Sequence, residues 1–488
     1  MSQGDKMERG QESITMIPRG DVREEGKKLP QYIAAITATL GAVAIGTVLG
    51  WSSSASPFLK GEITNVTSTI DPPLSVDESA RVESFVAIGA IMGALPAGYF
   101  ADLLGRKTLI AALTLPFLLS WIMILLAKVA WLLYVARILA GIATGATCTV
   151  VPMYISEIAE LSIRGTLGAY FQLMITLGIF YAYVYGYLVR FAVLNILCAL
   201  IPIAGFFMFM FVPESPKYLL MRQKKQSAEK SLRWLRGNKY NIKQEIETLQ
   251  NEIAKSSRTK VSFKDLVATK VAFKSVNIAL GLMVFQQLSG VNAVIFNMNA
   301  IFMASGSTIE PAICSIIIGA IQVIVTFFSS ILIDKAGRKI LLLISLGVST
   351  LSLGVLGYYF HLKNSGEDVS GIGFIPLICL ILFIVVFSLG LGPIPWMMSG
   401  EILAAEIKGL ASSLATALNW TLTFVVTRSY APMEKTLGTD VTFWLFACIC
   451  AIGFVFVVLI VPETKGKTVD QVQQLLAGKK PARKNGLV

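Results

Sequence analysis

Twelve blocks of apolar residues, each close to the length of a membrane-crossing helix, dominate this sequence and leave few folds open to it. They run over 32–56, 82–101, 108–127, 131–152, 166–189, 191–212, 275–303, 312–333, 340–361, 372–399, 410–428 and 441–461. A helix needs roughly 20 apolar residues to cross the hydrocarbon core of a bilayer. Inside that core every backbone amide must be satisfied within the protein, and blocks of this length do so as helices rather than as short alternating strands. The expected fold class is therefore an all-α membrane protein. Composition agrees, with 55% hydrophobic and only 15% charged residues, against about 25% charged in an ordinary soluble domain.

Basic residues set the expected orientation. The net charge of +12 points to nucleic acid only if it is spread without regard to the spans. It is not. Segment 213–270 holds fourteen Lys and Arg against six acids, and the tail 462–488 holds six against two. Lys and Arg collect on the cytosolic side of membrane proteins, so both termini and the central loop are expected there. The first 29 residues carry six basic and six acidic side chains and no apolar run, unlike a signal or transit peptide. The expected order is a cytosolic tail at 1–31, six spans in 32–212, a cytosolic helical loop at 213–274, six spans in 275–461 and a second tail at 462–488. This arrangement turns Asn65-Val66-Thr67 outward, as a candidate N-glycosylation sequon.

Two halves share the same marks. Asp102, Gly105, Arg106 and Lys107 follow the second block, while Asp334, Gly337, Arg338 and Lys339 follow the eighth. Glu157 and Arg164 follow the fourth, as Glu401 and Lys408 follow the tenth; Pro213-Glu214-Ser215 and Pro462-Glu463-Thr464 follow the sixth and twelfth. Such duplication indicates two six-helix units related by an axis along the membrane normal. Arg106, Lys107 and Arg164 are expected to pair with Glu157 and Glu214, and Arg338, Lys339 and Lys408 with Glu401 and Glu463, as charge clusters that bias a two-state gate. Topology anchoring is the blander alternative. Between the halves, Ile242, Ile246, Leu249 and Ile253 recur at helical spacing and predict a packed helical bracket beneath both units.

The interior chemistry is neutral. Within the blocks the one carboxylate is Glu83, expected at the outer mouth, and the basic exceptions Arg137 and Arg428 also lie towards outer ends. Amides remain: Gln172, Gln286, Gln287, Asn292, Asn297, Gln322 and Asn419, with Trp396 and Trp420. A carboxamide both donates and accepts, so a set of them replaces the hydration of a polyol, and an indole covers the C–H face of a sugar ring. Interhelical adhesion is the competing use of any single amide. Gly390, Gly392, Pro393 and Pro395 interrupt the tenth block, as expected of a hinge beside a binding site. All six cysteines fall inside the blocks and His361 is the sole histidine, so neither a disulfide framework nor a metal site is expected. No nucleophile, base and orienting group recur at a plausible spacing, so an enzyme is not expected.

Gly105-Arg106-Lys107, Pro213-Glu214-Ser215-Pro216, Gln286-Gln287-Leu288-Ser289-Gly290-Val291-Asn292, Gly392-Pro393-Ile394-Pro395-Trp396 and Pro462-Glu463-Thr464 together resemble the signatures of the sugar porter family of the major facilitator superfamily. Ile331–Asp334 and Gly400–Leu403 are similar to its insect facilitated trehalose carriers. The resemblance implies a major facilitator fold, no cofactor, a lipid bilayer and a small neutral sugar as partners, and no obligate protein partner. It implies sugar contacts from Gln172, Gln286, Gln287, Asn292, Gln322, Trp396, Asn419 and Trp420. Gln322 stands where the family usually has Asn, Asn297 replaces an aromatic and Ala404 replaces a proline. Proton-coupled members carry an Asp in the first helix; here the stretch reads Gly50-Trp51-Ser52-Ser53. The expectation is facilitated diffusion of trehalose or a hexose, with a proton-coupled symporter or a transport-poor sugar receptor as alternatives.

Overall fold

The computed structural model describes residues 26–61, 72–160, 162–256, 263–306, 309–404, 406–467 and 469–478. Among these residues twelve helical spans are long and apolar enough to cross a membrane. In chain order, spans 1 to 6 are Lys28–Leu59, Val76–Leu104, Arg106–Leu126, Ala130–Ile158, Arg164–Leu188 and Phe191–Met210. Spans 7 to 12 are Lys270–Phe296, Pro311–Ile333, Arg338–Asn364, Ile375–Ile402, Lys408–Leu437 and Thr439–Leu459. Asn65 and the tails up to residue 25 and from residue 479 lie outside the described residues.

Small residues decide which spans touch. A Cβ added at Gly89 would lie 2.1 Å from the Ile138 carbonyl oxygen, and one at Gly141 would lie 2.1 Å from that of Val86. Spans 2 and 4 thus approach backbone to backbone, the packing that replaces hydrophobic driving force inside lipid. Span 1 packs on span 5. In the last six spans, 7 pairs with 11 and 8 with 10, so the second unit repeats the packing of the first. The units meet where span 2 packs on span 11 and span 5 on span 8.

Among the described residues the linker forms three α-helices, α1 (Pro216–Met221), α2 (Lys225–Arg236) and α3 (Ile242–Ser256), and a short turn of 3-10 helix at Phe263–Leu266. Leu220, Ala228, Leu232, Ile242 and Ile246 close their shared core. Arg236 is 2% exposed; it donates to the Ile158 carbonyl oxygen at 2.7 Å and to Glu245 at 2.8 Å, and pairs with Glu160. These contacts fix the three helices to the first unit, while Leu266, later in the linker, packs with Val276, Leu403 and Ile407 of the second. The second unit has its own brace, α4 (Val469–Leu476), whose Val472 and Leu476 join the main core and whose Gln473 amide donates to the Ile402 carbonyl oxygen. The side carrying α1 to α4 is called the linker face below.

Candidate functional site

Span 7 carries the amide motif at a deliberate break. Its helix runs to Leu288, Gly290 takes a left-handed φ of 86°, and a helix resumes over Val291–Phe296. A Cβ at Gly290 would meet the Phe446 ring at 2.6 Å. The break brings Asn292 back over Gln287: Asn292 Nδ2 donates to Gln287 Oε1 at 2.5 Å and to Thr423 Oγ1 at 3.3 Å. Gln287 Nε2 donates to Asn419 Oδ1 at 2.8 Å, and Asn419 Nδ2 donates to Gln286 Oε1 at 2.7 Å. All four amides are buried. A continuous neutral relay therefore crosses from span 7 to span 11, in the donor–acceptor alternation that sugar hydroxyls also offer.

Gln286 continues the relay into span 10. That span is a helix to Val386, widens into a π-turn over Phe387–Leu391, and restarts at Ile394. Pro393 and Pro395 supply no N–H to this stretch, and three of its carbonyls are met from other spans: Ser329 Oγ donates to Leu389 O at 3.2 Å, and Gln286 Nε2 donates to Leu391 O at 2.9 Å and to Gly392 O at 2.7 Å. Gly390 packs tightly on span 9, since a Cβ there would lie 2.5 Å from the Leu341 carbonyl oxygen. The interruption is thus a stabilised structural element.

Four expected site residues stand outside the relay. Gln172 is half-buried in span 5 and Gln322 is buried in span 8; these spans meet near Gly319, where a Cβ would touch Tyr183 and Phe180. Trp396 is 37% exposed. Trp420 packs in the seam of spans 2 and 11 on Ala87 and Ala90, with its indole N–H unpartnered. Asn297 donates to the Ala293 carbonyl oxygen of its own span at 3.1 Å and also reaches the Glu83 carboxylate of span 2. Thr423, Ser329 and Ser345 escaped the sequence reading. Thr423 lies one helical turn after Asn419, a spacing that could have flagged it; nothing local marks the two serines.

A second polar cluster lies in the first unit. Arg137 is fully buried, donating to Ser52 Oγ at 2.6 Å, Val48 O at 2.9 Å and Val82 O at 3.1 Å, with its guanidinium 5.0 Å above the Trp51 ring. Ser52 thus takes one of its donors. Ser75 and Glu78 form a capping box that starts span 2 at Val76, ahead of the apolar block, so Glu83 lies about 10 Å along the helix from that end. It is 6% exposed, accepts from Ser79 Oγ at 3.4 Å and lies within electrostatic reach of Arg137 and Lys60.

At the linker face the duplicated marks build duplicated turns. Arg106 Nη2 donates to Glu157 at 3.0 Å and pairs with Asp102 at 2.8 Å, while Ser215 Oγ donates to Glu157. Arg338 Nη2 donates to Glu401 at 3.0 Å, and Thr464 Oγ1 donates to Glu401 at 2.5 Å. Glu214 and Glu463 do something other than the expected pairing with lysine. Glu214 accepts the backbone N–H of Lys107 at 3.0 Å; Glu463 accepts those of Arg338 and Lys339 at 3.0 Å each. Glu214 thus caps the start of span 3 and Glu463 that of span 9, where unpaired amides favour an anion. Gly105 and Gly337, at φ 103° and 96°, leave the space: a Cβ would lie 2.4 and 2.8 Å from these carboxylates. Burial pushes the Glu214 carboxyl above its ordinary range despite those amides. Burial also opposes charge on Glu463, but the backbone N–H groups of Lys465, Arg338 and Lys339 outweigh it and hold that carboxyl below its ordinary range.

The lysines also differ from expectation, because their ammonium groups reach carbonyl oxygens that the helix ends leave open. Lys107 donates to Met210 O at 2.7 Å, Lys339 to Val458 O at 2.9 Å and Lys408 to Gly400 O at 3.1 Å. Arg164 donates to Ala159 O at 3.4 Å, and the Asp334 side chain lies outside the described residues. The Arg106 and Arg338 clusters each hold together one unit. Contacts between the units occur on the opposite face. Arg428 pairs with Asp77 at 2.6 Å, Asn299 N donates to Ser53 Oγ at 3.1 Å, Tyr183 donates to Ile295 O at 2.9 Å and Tyr187 donates to Glu310 at 3.2 Å.

A model of the Sugar (and other) transporter family matches residues 33–476. The facilitated trehalose transporter Tret1 of Polypedilum vanderplanki is 37% identical over 451 residues, covering 92% of this chain and 88% of that one. Tret1 of Drosophila virilis is 38% identical over 450 residues, covering 92% of this chain and 49% of that one. The chain spans about half the length of the Drosophila and Anopheles relatives it matches. Among solved structures, the proton:xylose symporter XylE bound to 6-bromo-6-deoxy-D-glucose superposes with a TM-score of 0.73 at 26% identity, over 91% of this chain and 99% of that one.

Proposed function

The chain belongs to the Sugar (and other) transporter family, and from that premise we propose that it carries a small neutral sugar, trehalose or a hexose such as glucose, across the plasma membrane by facilitated diffusion. The termini and linker face the cytosol in this reading. Gln287, Asn292 and Asn419 hold sugar hydroxyls, with Gln172, Gln322, Trp396 and Trp420 completing the pocket as the two units rock about it. The observation that carries the proposal is the buried amide relay between two broken spans: it is neutral, it alternates donors and acceptors, and it joins the break in span 7 to the interrupted span 10, the kind of helix a gate needs. Trehalose is favoured among substrates by the relatives named for its facilitated transport. Purified protein in liposomes should take up radiolabelled trehalose or glucose saturably, and absence of saturable uptake of both would refute the proposal.

Ser52 supports uniport, since a hydroxyl partner for Arg137 offers no titratable switch at that place. A specific observation favours a second reading, proton coupling: Glu83 is a buried carboxylate near the same arginine, and a solved relative is a proton:xylose symporter. Glu83→Gln separates them. Under uniport it leaves pH-gradient dependence absent as before, whereas under symport it abolishes a dependence that the unaltered protein shows.

A further inference from the structure

Spans 3 and 6 of the first unit stand apart near the linker face. Span 3 breaks between Ala112 and Thr114, ahead of Pro116, and span 6 carries Pro202 within its helix; such prolines bend helices. Between them lies a crevice walled by Ile110, Ala111 and Thr114 on span 3 and by Pro202, Gly205 and Phe206 on span 6. Its floor is the seam of spans 1 and 4, where a Cβ at Gly41 would lie 3.1 Å from the Thr147 side chain. We propose that this crevice is a phospholipid site belonging to the first unit, with one acyl chain lying in it and the phosphate at Lys107, whatever the substrate carried.

The internal repeat supplies the comparison. Gly205 and Phe454 each stand eight residues before the proline that follows their half, and Leu115 and Gly347 each stand ten residues after the turn glycine. Large and small are exchanged between the units. In the second, the Phe454 ring comes within 3.6 Å of a Cβ placed at Gly347, so an aromatic side chain fills the gap between spans 9 and 12. In the first, Gly205 offers no side chain, and Leu115 and Phe207, beside the mouth, are each 62% exposed on membrane spans. The mouth therefore opens to hydrocarbon. An apolar gap left empty forfeits the dispersion contacts of its lining, and water finds no polar side chains there but threonines. Lys107, Ile110, Ala111 and Thr114 share one face of span 3, so Lys107 stands at the linker-face end of the crevice. Its ammonium has three donors, of which Met210 O takes one at 2.7 Å, and basic groups between spans hold lipid phosphates. From Lys107 to Phe117 the stripe runs about 15 Å, half of a hydrocarbon core of about 30 Å. That is the depth of one leaflet, and so of one acyl chain.

The test places the purified full chain in phosphatidylcholine liposomes with a phosphatidylcholine that carries a diazirine on one acyl chain, and maps the labelled peptides after photolysis. Labelling over 107–117 and 202–209 should exceed that over the equivalent stretches 339–349 and 451–458 severalfold. Gly205→Phe copies the second unit and should remove the excess. A Cβ at Gly205 already comes within 3.2 Å of the Leu40 side chain, so Ala111→Phe, which fills the same space from span 3, keeps the test open if Gly205→Phe does not fold. Phe454→Gly should do the reverse and raise labelling over 339–349 severalfold. Lys107→Gln should lower labelling by the phospholipid severalfold while leaving labelling by a diazirine-bearing alkane, which has no phosphate, unchanged. Equal labelling of the two units, or an excess that survives both filling variants, would overturn the proposal and leave ordinary lipid contact. Unchanged phospholipid labelling in Lys107→Gln would overturn the phosphate contact, and labelling of the crevice by a photoreactive sterol but not by the phospholipid would overturn the choice of ligand.

Discussion

Gln287 and Asn292 are joined to one another and to Asn419 and Thr423, so each offers a polar atom that a sugar hydroxyl can share. Alanine at either position leaves buried partners unpaired, a cost of about 1–3 kcal/mol, which corresponds to roughly 5–150-fold in sugar affinity. We predict that loss for both variants, with surface expression retained, measured as half-saturation of uptake per surface molecule; unchanged half-saturation in both would remove them from the site. These amides were legible in the sequence because polar side chains are scarce in apolar blocks and cluster around Gly290. The work of Gln286 was not, since its partners are carbonyls of a proline-broken stretch more than a hundred residues later. Hydropathy marks the apolar part of span 2, whereas the Ser75 capping box starts its helix before that part, an extension the apolar blocks alone do not show.

Helix ends explain the duplicated motifs. Gly105-Arg106-Lys107 and Gly337-Arg338-Lys339 make a turn in which a distant carboxylate caps the following span and the arginine ties in another acid. The motif was evident as a repeat, but the division of labour between arginine and lysine depends on which carbonyls are left open. The Arg106–Glu157 pair is nearly dry, its side chains 3% and 7% exposed, whereas those of Arg338 and Glu401 are 11% and 27% exposed. Removing one partner of a buried pair costs about 3–5 kcal/mol. Arg106→Ala is therefore expected to lower the melting temperature in detergent more than Arg338→Ala, and the reverse order would contradict this account. On the opposite face, Arg428 and Asp77 are 32% and 49% exposed, so water and salt screen the pair and the restraint it supplies is weak. Arg428→Ala should raise alkylation of a cysteine placed at Ala300, in a background lacking the six native cysteines, by no more than roughly fivefold; no rise would show that the pair does not restrain that face.

Across the molecule, twelve spans in two similarly packed units were readable because length, hydropathy and repeated marks all act locally. The attachment of the linker was not readable. Its amphipathic periodicity demands an apolar partner without naming one; Arg236 reaching Ile158 and Glu160 ties the helices to the first unit, and Leu266 packs on the second. The central claim is that this neutral relay moves sugar down its own gradient, with Ser52 occupying the Arg137 donor that a titratable partner would need. Sugar accumulation in proteoliposomes under an imposed pH gradient, with and without a protonophore, tests it most directly. The account predicts equal sugar concentrations inside and outside at equilibrium and no effect of the protonophore. Accumulation above the external concentration that collapses on adding the protonophore would contradict it.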